Sequence, residues 1–172
     1  ATCACRSSYM WSADHPVFHM TKEIIRCFVG LGSNMGDRKS FLEKAVATIT
    51  DIVNVSSLYE TAPIGGPEQE PFLNMVVELQ TFLGPYEVLE LCRELEADAD
   101  RERTIRWGPR TLDADVLIYG NLVLDDVELT LPHPRMWNRA FVMYPLAELA
   151  PDLLPEDWEV SVIGQEVKLI EN

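Results

Sequence analysis

The chain has no lysine or arginine between residues 45 and 92, and no lysine between residues 101 and 139. In all it carries 14 basic residues against 28 acidic ones, a formal net charge of -14. That balance argues against non-specific binding to nucleic acid or to an anionic membrane, both of which need a positive face. The four cysteines, Cys3, Cys5, Cys27 and Cys92, are too few for a disulfide scaffold, and no C-x-x-C or Cys/His spacing marks a metal site. Cys27 and Cys92 lie in apolar patterns and are expected as buried thiols, which fits a reduced, cytoplasmic setting. No apolar run approaches the ~20 residues needed to span a bilayer. There is no Walker A pattern and no internal repeat or low-complexity tract. "GLGSN" at residues 30–34 departs from G-x-G-x-x-G, because Met35 stands where the third glycine belongs. Gly30 and Gly32 are therefore expected to serve a tight turn.

What is present is ordinary globular composition: 172 residues, 47% hydrophobic and 24% charged, enough for the core of one domain. Residues 1–19 lack periodicity and lack the apolar centre of a signal peptide. Met20 has the look of a natural start, so residues 1–19 are expected to be a mobile extension and residues 20–172 a single domain.

Along the chain, residues 24–30 read as a strand ending in a polar loop. Residues 40–50 read as a helix, with Ser40 and Glu43 in a capping-box pattern. "VNVSSLYET" reads as a second strand and "FLNMVVELQTF" as a third, placing Leu73, Met75, Val77 and Leu79 on one face and Phe72, Asn74, Val76 and Glu78 on the other. Pro85 suits the first position of a second helix reaching about Asp98, followed by a charged loop over residues 97–105 with the character of a lid. "TLDADVLIYG" reads as a fourth strand, with Leu112, Ala114, Val116 and Ile118 facing one way and Asp113, Asp115, Leu117 and Tyr119 the other. Gly120-Asn121 predicts a hairpin into "LVL", and a short helix is expected near "PLAELA". Strand, helix, strand, strand, helix, strand is the ferredoxin-like split pattern. The fold class is accordingly α+β: a mainly antiparallel sheet with helices on one face and the other face left for loops and a ligand.

Charge is concentrated where the strand pattern is most apolar. Residues 101–139 hold six arginines, Arg101, Arg103, Arg106, Arg110, Arg135 and Arg139. Arginine suits forked contacts to phosphate or carboxylate. Beside them, period-2 geometry puts Asp113 and Asp115 on one sheet face. Two carboxylates so placed repel and lose hydration, and a divalent cation relieves both costs; Mg²⁺ takes carboxylate oxygens together with phosphates and water. The alternative is a wet edge strand with each aspartate paired to an arginine. The arginines, the rigid Gly108-Pro109 turn and the aspartates favour a metal–triphosphate site.

Four segments, "GLGSNMGD", "SSLYETAPIGGPEQEPFLNMVVELQT", "RWGPRTLDADVLIYG" and "LPHPRMWNRAFVMYPLAELAPD", together resemble the 6-hydroxymethyl-7,8-dihydropterin pyrophosphokinases of folate biosynthesis, over about residues 24–157. The resemblance implies transfer of the β,γ-pyrophosphoryl unit of ATP to the hydroxymethyl group of the dihydropterin, with AMP leaving. It implies two Mg²⁺ ions on Asp113 and Asp115. It gives catalytic, phosphate-facing roles to Arg101, Arg110, His133 and Arg139. ATP contacts are implied for these four and for Glu96, Arg103, Trp107, Val116 and Thr130. For the pterin it implies Thr61, Ala62, Pro63 and Ile64 along the ring edge, Phe72 and Phe141 stacking on the ring, Asn74 bonding it, and Trp107 closing over it. The residue chemistry agrees: a flat heterocycle gains burial between two phenylalanines, and a carboxamide offers donor and acceptor together. His133 is expected to neutralise charge, since such transfers rest on positioning and electrostatics. The expected partners are these two small molecules, with no nucleic acid or membrane, and the expected state is a monomer.

Two departures from the family pattern stand out: the loop before Trp107 is about one residue short, and Pro134 follows His133. Two other functions fit the same residues less fully. A binding module on this sheet predicts binding without turnover, and a metal-dependent nucleotide hydrolase predicts phosphate release without an acceptor.

Overall fold

The computed structural model describes residues 23–65, 67–99 and 108–170. The expected extension, residues 1–19, lies outside them.

The centre of the domain is β1 (Ile25–Ser33), which runs antiparallel to β4 (Phe72–Thr81) on one side and to β5 (Asp113–Tyr119) on the other. β2 (Ile52–Val55) and β3 (Leu58–Thr61) share the far edge of β4, and β8 (Val167–Ile170) pairs antiparallel with β3. The sheet order is β5-β1-β4-β3-β8, so β5 and β8 are its edges. β6 (Leu124–Asp125) and β7 (Thr130–Leu131) form a separate small ladder.

Three longer helices cover the sheet. α1 (Arg38–Thr48) and α2 (Pro85–Asp98) share one face, where Leu42, Ala45, Val88, Cys92 and Leu95 pack with Val29, Leu31, Val77 and Leu79. The opposite face is only partly open, contrary to expectation. α3 (Ala140–Leu149) closes its lower half, burying Val142 and Leu146 with Phe28, Val76 and Leu117. α3 begins at Ala140 because its stripe extends back from "PLAELA" to Val142 and Met143. A short α4 (Trp158–Ser161) follows. Cys27 and Cys92 are buried free thiols as expected, and burial pushes the Cys27 thiol up to about 12.

Several local expectations are corrected. Asp37, not Ser40, caps α1: its Oδ1 accepts the Ser40 amide at 3.1 Å. The single strand expected over residues 53–61 breaks at Ser56, whose hydroxyl accepts the Val76 amide at 2.9 Å and so replaces one rung of the ladder. The strict alternation in β5 fails after Val116. A bulge between Phe28 and Val29 shifts the pairing, so that Leu117 and Ile118 both enter the α3-side core and Tyr119 packs on the other. Gly120 makes the expected turn at φ +50, but the chain does not return along β5; Leu124–Asp125 pairs with Thr130–Leu131 instead.

Candidate active site

Gly30 and Gly32 are strand residues, not turn residues. Gly32 stands between Asn74 of β4 and Asp113 of β5, and Gly30 between Val76 and Asp115. At a strand spacing of ~4.8 Å, Asn74 and Asp113 therefore lie about 10 Å apart across a strip with no side chains. A Cβ on Gly32 would sit 2.9 Å from Asn74 Oδ1. The pair of glycines makes a flat floor that sets the two polar groups apart.

A cleft of about 1070 Å³ opens above this floor. Thr61, Ala62, Ile64, Phe72 and Asn74 line one end. Arg110, Asp113, Asp115 and Glu96 line the other, with Arg139 and Phe141 contributed from the start of α3. Pro63 lines an adjoining hollow with Ile64 and Phe141. Asn74 is 5% exposed and donates to Thr61 Oγ1 at 2.9 Å. No described residue donates to its Oδ1. Ile64 is 57% exposed at the rim, an apolar surface that a flat ligand would cover.

The far end is a field of opposed charges. Arg110 pairs with Asp113, so the edge-strand alternative is realised for that aspartate. The Asp115 carboxylate accepts no hydrogen bond or ion pair from the described residues. Burial first, and then the Asp113 charge, raise its carboxyl above the usual range; His133, Arg139 and Arg110 work the other way. Burial lowers His133, against the pull of Asp115. The ring is fixed by its own loop: the His133 amide donates to Leu117 O at 2.8 Å, and its Nδ1 accepts from the Arg135 amide at 3.3 Å. Arg139 is lowered by burial and by Arg135, and its guanidinium lies over the Phe141 ring at 5.3 Å. Glu96 is 7% exposed, and its Oε1 accepts the Ala114 amide at 3.1 Å, capping an outward N–H of the edge strand.

The remaining expected residues are placed differently. The Val116 side chain is in the α1/α2 core and does not face the cleft. Thr130 is on β7 with its hydroxyl toward Asp125 at 3.5 Å, and neither it nor His133 lines the cleft. Arg101, Arg103 and Trp107 lie outside the described residues.

The family model described as 7,8-dihydro-6-hydroxymethylpterin-pyrophosphokinase matches residues 28–151, the span that contains the glycine floor, the aspartate pair and Arg139. The chain belongs to this family. It is 44% identical over 134 residues to the 2-amino-4-hydroxy-6-hydroxymethyldihydropteridine pyrophosphokinase of Bacillus subtilis, covering 75% of this chain and 80% of that one. It is 43% identical over 139 residues to the enzyme of the same name from Pseudomonas aeruginosa, covering 77% and 86%. Among solved structures, a pyrophosphokinase–DHPS fusion in complex with substrates (HPPK-DHPS) shares the fold at a TM-score of 0.62 and 12% identity. The match covers 81% of this chain and 43% of that longer one.

Within this pyrophosphokinase fold, Asn34 joins two parts of the site that sequence reasoning treated separately. It is 3% exposed. Its Nδ2 donates to Gln69 Oε1 at 3.0 Å and to Glu70 O at 3.1 Å, while its Oδ1 accepts the Arg110 amide at 2.7 Å. One carboxamide thus pins the loop before Phe72 to the turn that delivers Arg110. The available signal was a polar residue ending an apolar strand, which demands partners. Asn34→Ala is expected to cost about 1–3 kcal/mol, because it strands the part-buried Arg110 amide; urea unfolding checks this, and an unchanged midpoint would deny the tie.

Proposed function

We propose that the cleft holds ATP and the dihydropterin side by side on the glycine floor, the pterin at the Asn74 end and the triphosphate at the Asp113/Asp115 end. The activity is ATP-dependent pyrophosphoryl transfer to 6-hydroxymethyl-7,8-dihydropterin, a step of tetrahydrofolate biosynthesis. The hydroxymethyl oxygen bonds to the β-phosphorus as the bond to the α,β-bridging oxygen breaks; AMP leaves and the hydroxyl proton passes to solvent. The observation that carries this reading is the pairing of Asn74 and Asp113 across Gly32, which sets a heterocycle-binding amide and an anion-handling cluster about 10 Å apart on one floor.

Phe72 and Phe141 stack on the ring, Asn74 meets its amino-pyrimidinone edge, and Thr61, Ala62, Pro63 and Ile64 border it. Arg110 and Arg139 meet the phosphates, with Arg101 and Arg103 from the preceding loop and Trp107 as its closing aromatic. His133 faces the charges of Asp115 and Arg139 at the phosphate end and serves there through electrostatics rather than as a base. Glu96, which lines the cleft, borders the nucleotide.

The donor set suits magnesium. Among the described residues no group of three or more His, Cys, Asp or Glu forms a metal cage. Two hard carboxylates, one of them part-buried and without a direct partner among the described residues, match an ion that completes its shell with phosphate oxygens and water. Asp113 and Asp115 would hold two Mg²⁺ ions, which offset phosphate charge when bound. The buried thiols support a reducing, cytoplasmic setting. No helix among the described residues is long and apolar enough to cross a membrane.

The assay that tests the reading incubates protein, ATP and Mg²⁺ with and without the pterin. Pterin-dependent AMP without ADP is expected; ADP or phosphate regardless of pterin contradicts it. Gly32→Ala probes the floor itself. Its new Cβ displaces the Asn74 carboxamide, so pterin affinity is expected to fall roughly tenfold, a loss of about one neutral hydrogen bond, with nucleotide affinity retained. Calorimetric titration of each ligand separates the two.

A further inference from the structure

The segment beyond the family-matched residues returns to the site. After α4, Gly164 at φ +81 turns the chain, and Gln165 enters between the 3₁₀ turn Met136–Asn138 and the start of α3. Its Oε1 accepts the Ala140 amide at 2.9 Å, and its Nε2 donates to Asn138 O at 3.0 Å. These two backbone groups flank Arg139 on either side. Arg139 itself is extended, at φ -123 and ψ 107, and α3 has no side-chain cap from its own N-cap residue. Gln165 supplies that cap from 25 residues away. Ser161 adds to the hold, donating to Trp137 O at 2.5 Å. Two residues after Gln165, Val167 begins β8, whose register partner is Thr61. Gln165 thus stands between the wall that carries Arg139 and Phe141 and the wall that carries Thr61, and it lines the cleft.

We infer that Gln165 is a positioning residue for pyrophosphoryl transfer, fixing the backbone of Arg139 and the start of the Phe141 wall against the Thr61 wall. The inference rests on the roles proposed above for Arg139 and Phe141. The physical need is plain. Arg139 joins a 3₁₀ turn to a helix, its N–H held by Met136 O and its C=O by the Val142 and Met143 amides, while the peptide groups on either side rely on Gln165, and a long arginine side chain magnifies any rotation of its backbone. A carboxamide that takes the donor after Arg139 and the acceptor before it removes that freedom. Misplacement by about 1 Å in such a site costs up to ~10²-fold in rate.

Gln165→Met keeps the volume and removes both hydrogen bonds. It is expected to lower kcat/KM for the pterin about tenfold, with the ATP KM within twofold and the thermal midpoint within a few degrees. Gln165→Glu keeps the acceptor for the Ala140 amide and is expected to recover part of the loss. In an Arg139→Ala background, Gln165→Met is expected to cost less than threefold. Unchanged kcat/KM in Gln165→Met overturns the inference, as does a fall in every parameter that tracks lost stability. Additive losses in the double variant overturn it while leaving the role of Arg139 intact. An Arg139→Ala enzyme at the wild-type rate overturns the reading of Arg139 and the inference with it.

Discussion

Asp115→Asn is expected to lower pyrophosphoryl transfer by at least ~10³-fold, equivalent to about 4 kcal/mol of transition-state stabilisation, and to raise the thermal midpoint of the metal-free protein. The two effects have one cause. The Asp115 carboxylate is part-buried beside Asp113 and has no direct partner among the described residues, so its ionised form is held at a cost. A carboxyl whose folded pKa lies above its unfolded value destabilises the fold once the pH passes the unfolded value, and the penalty is complete above the folded one. Asparagine removes that penalty at pH 7 and removes the anionic oxygen that a cation needs. Saturating Mg²⁺ and ATP are expected to stabilise the wild type and to have little effect on the variant's midpoint. A structural aspartate behaves in the opposite way: its loss lowers the midpoint and spares the rate. Thermal unfolding with and without Mg²⁺-ATP, beside a rate measurement, separates the cases.

Asn74→Ala is expected to raise the pterin dissociation constant about 30- to 100-fold, a loss of roughly 2–3 kcal/mol, while ATP affinity stays within twofold. Asn74 donates to Thr61 within β3 and β4 and turns the rest of its amide to the cleft. Alanine removes the ligand contacts and leaves the Thr61 hydroxyl without its donor, in a site where a buried polar edge has no other partner. The phosphate end lies beyond Gly32 and shares no hydrogen bond with Asn74. Equal losses for both ligands in separate titrations would deny the recognition role.

Both residues were legible in the sequence for the same reason. Asn74 interrupts one apolar strand and Asp113 and Asp115 open another, so polar groups stand where a core pattern has no use for them. The alternation in β4 held throughout because both its neighbours pair with it in steady register over the site. The bulge that turns Ile118 and Tyr119 over was hidden, since an inserted residue is a property of a strand pair and neither strand alone records it. Gly30 and Gly32 were read as a turn because their meaning lies in the neighbours: only the register reveals Asn74 and Asp113 on either side. Asn34 and Gln165 were missed because most of their partners are backbone groups, which carry no residue-type signal, on segments far away in the chain. β8 escaped notice because an edge strand with exposed Lys168 and Leu169 has no buried-face pattern to read.

The central claim is that one glycine strip separates a pterin end from a metal–phosphate end. A crystal structure with the pterin, Mg²⁺ and a non-transferable ATP analogue tests it most directly. The account predicts the ring between Phe72 and Phe141 with its edge on Asn74, the phosphates near Arg110 and Arg139, and metal density at Asp113 and Asp115. A pterin bound away from Asn74, or phosphates held with no metal at the aspartates, would contradict it.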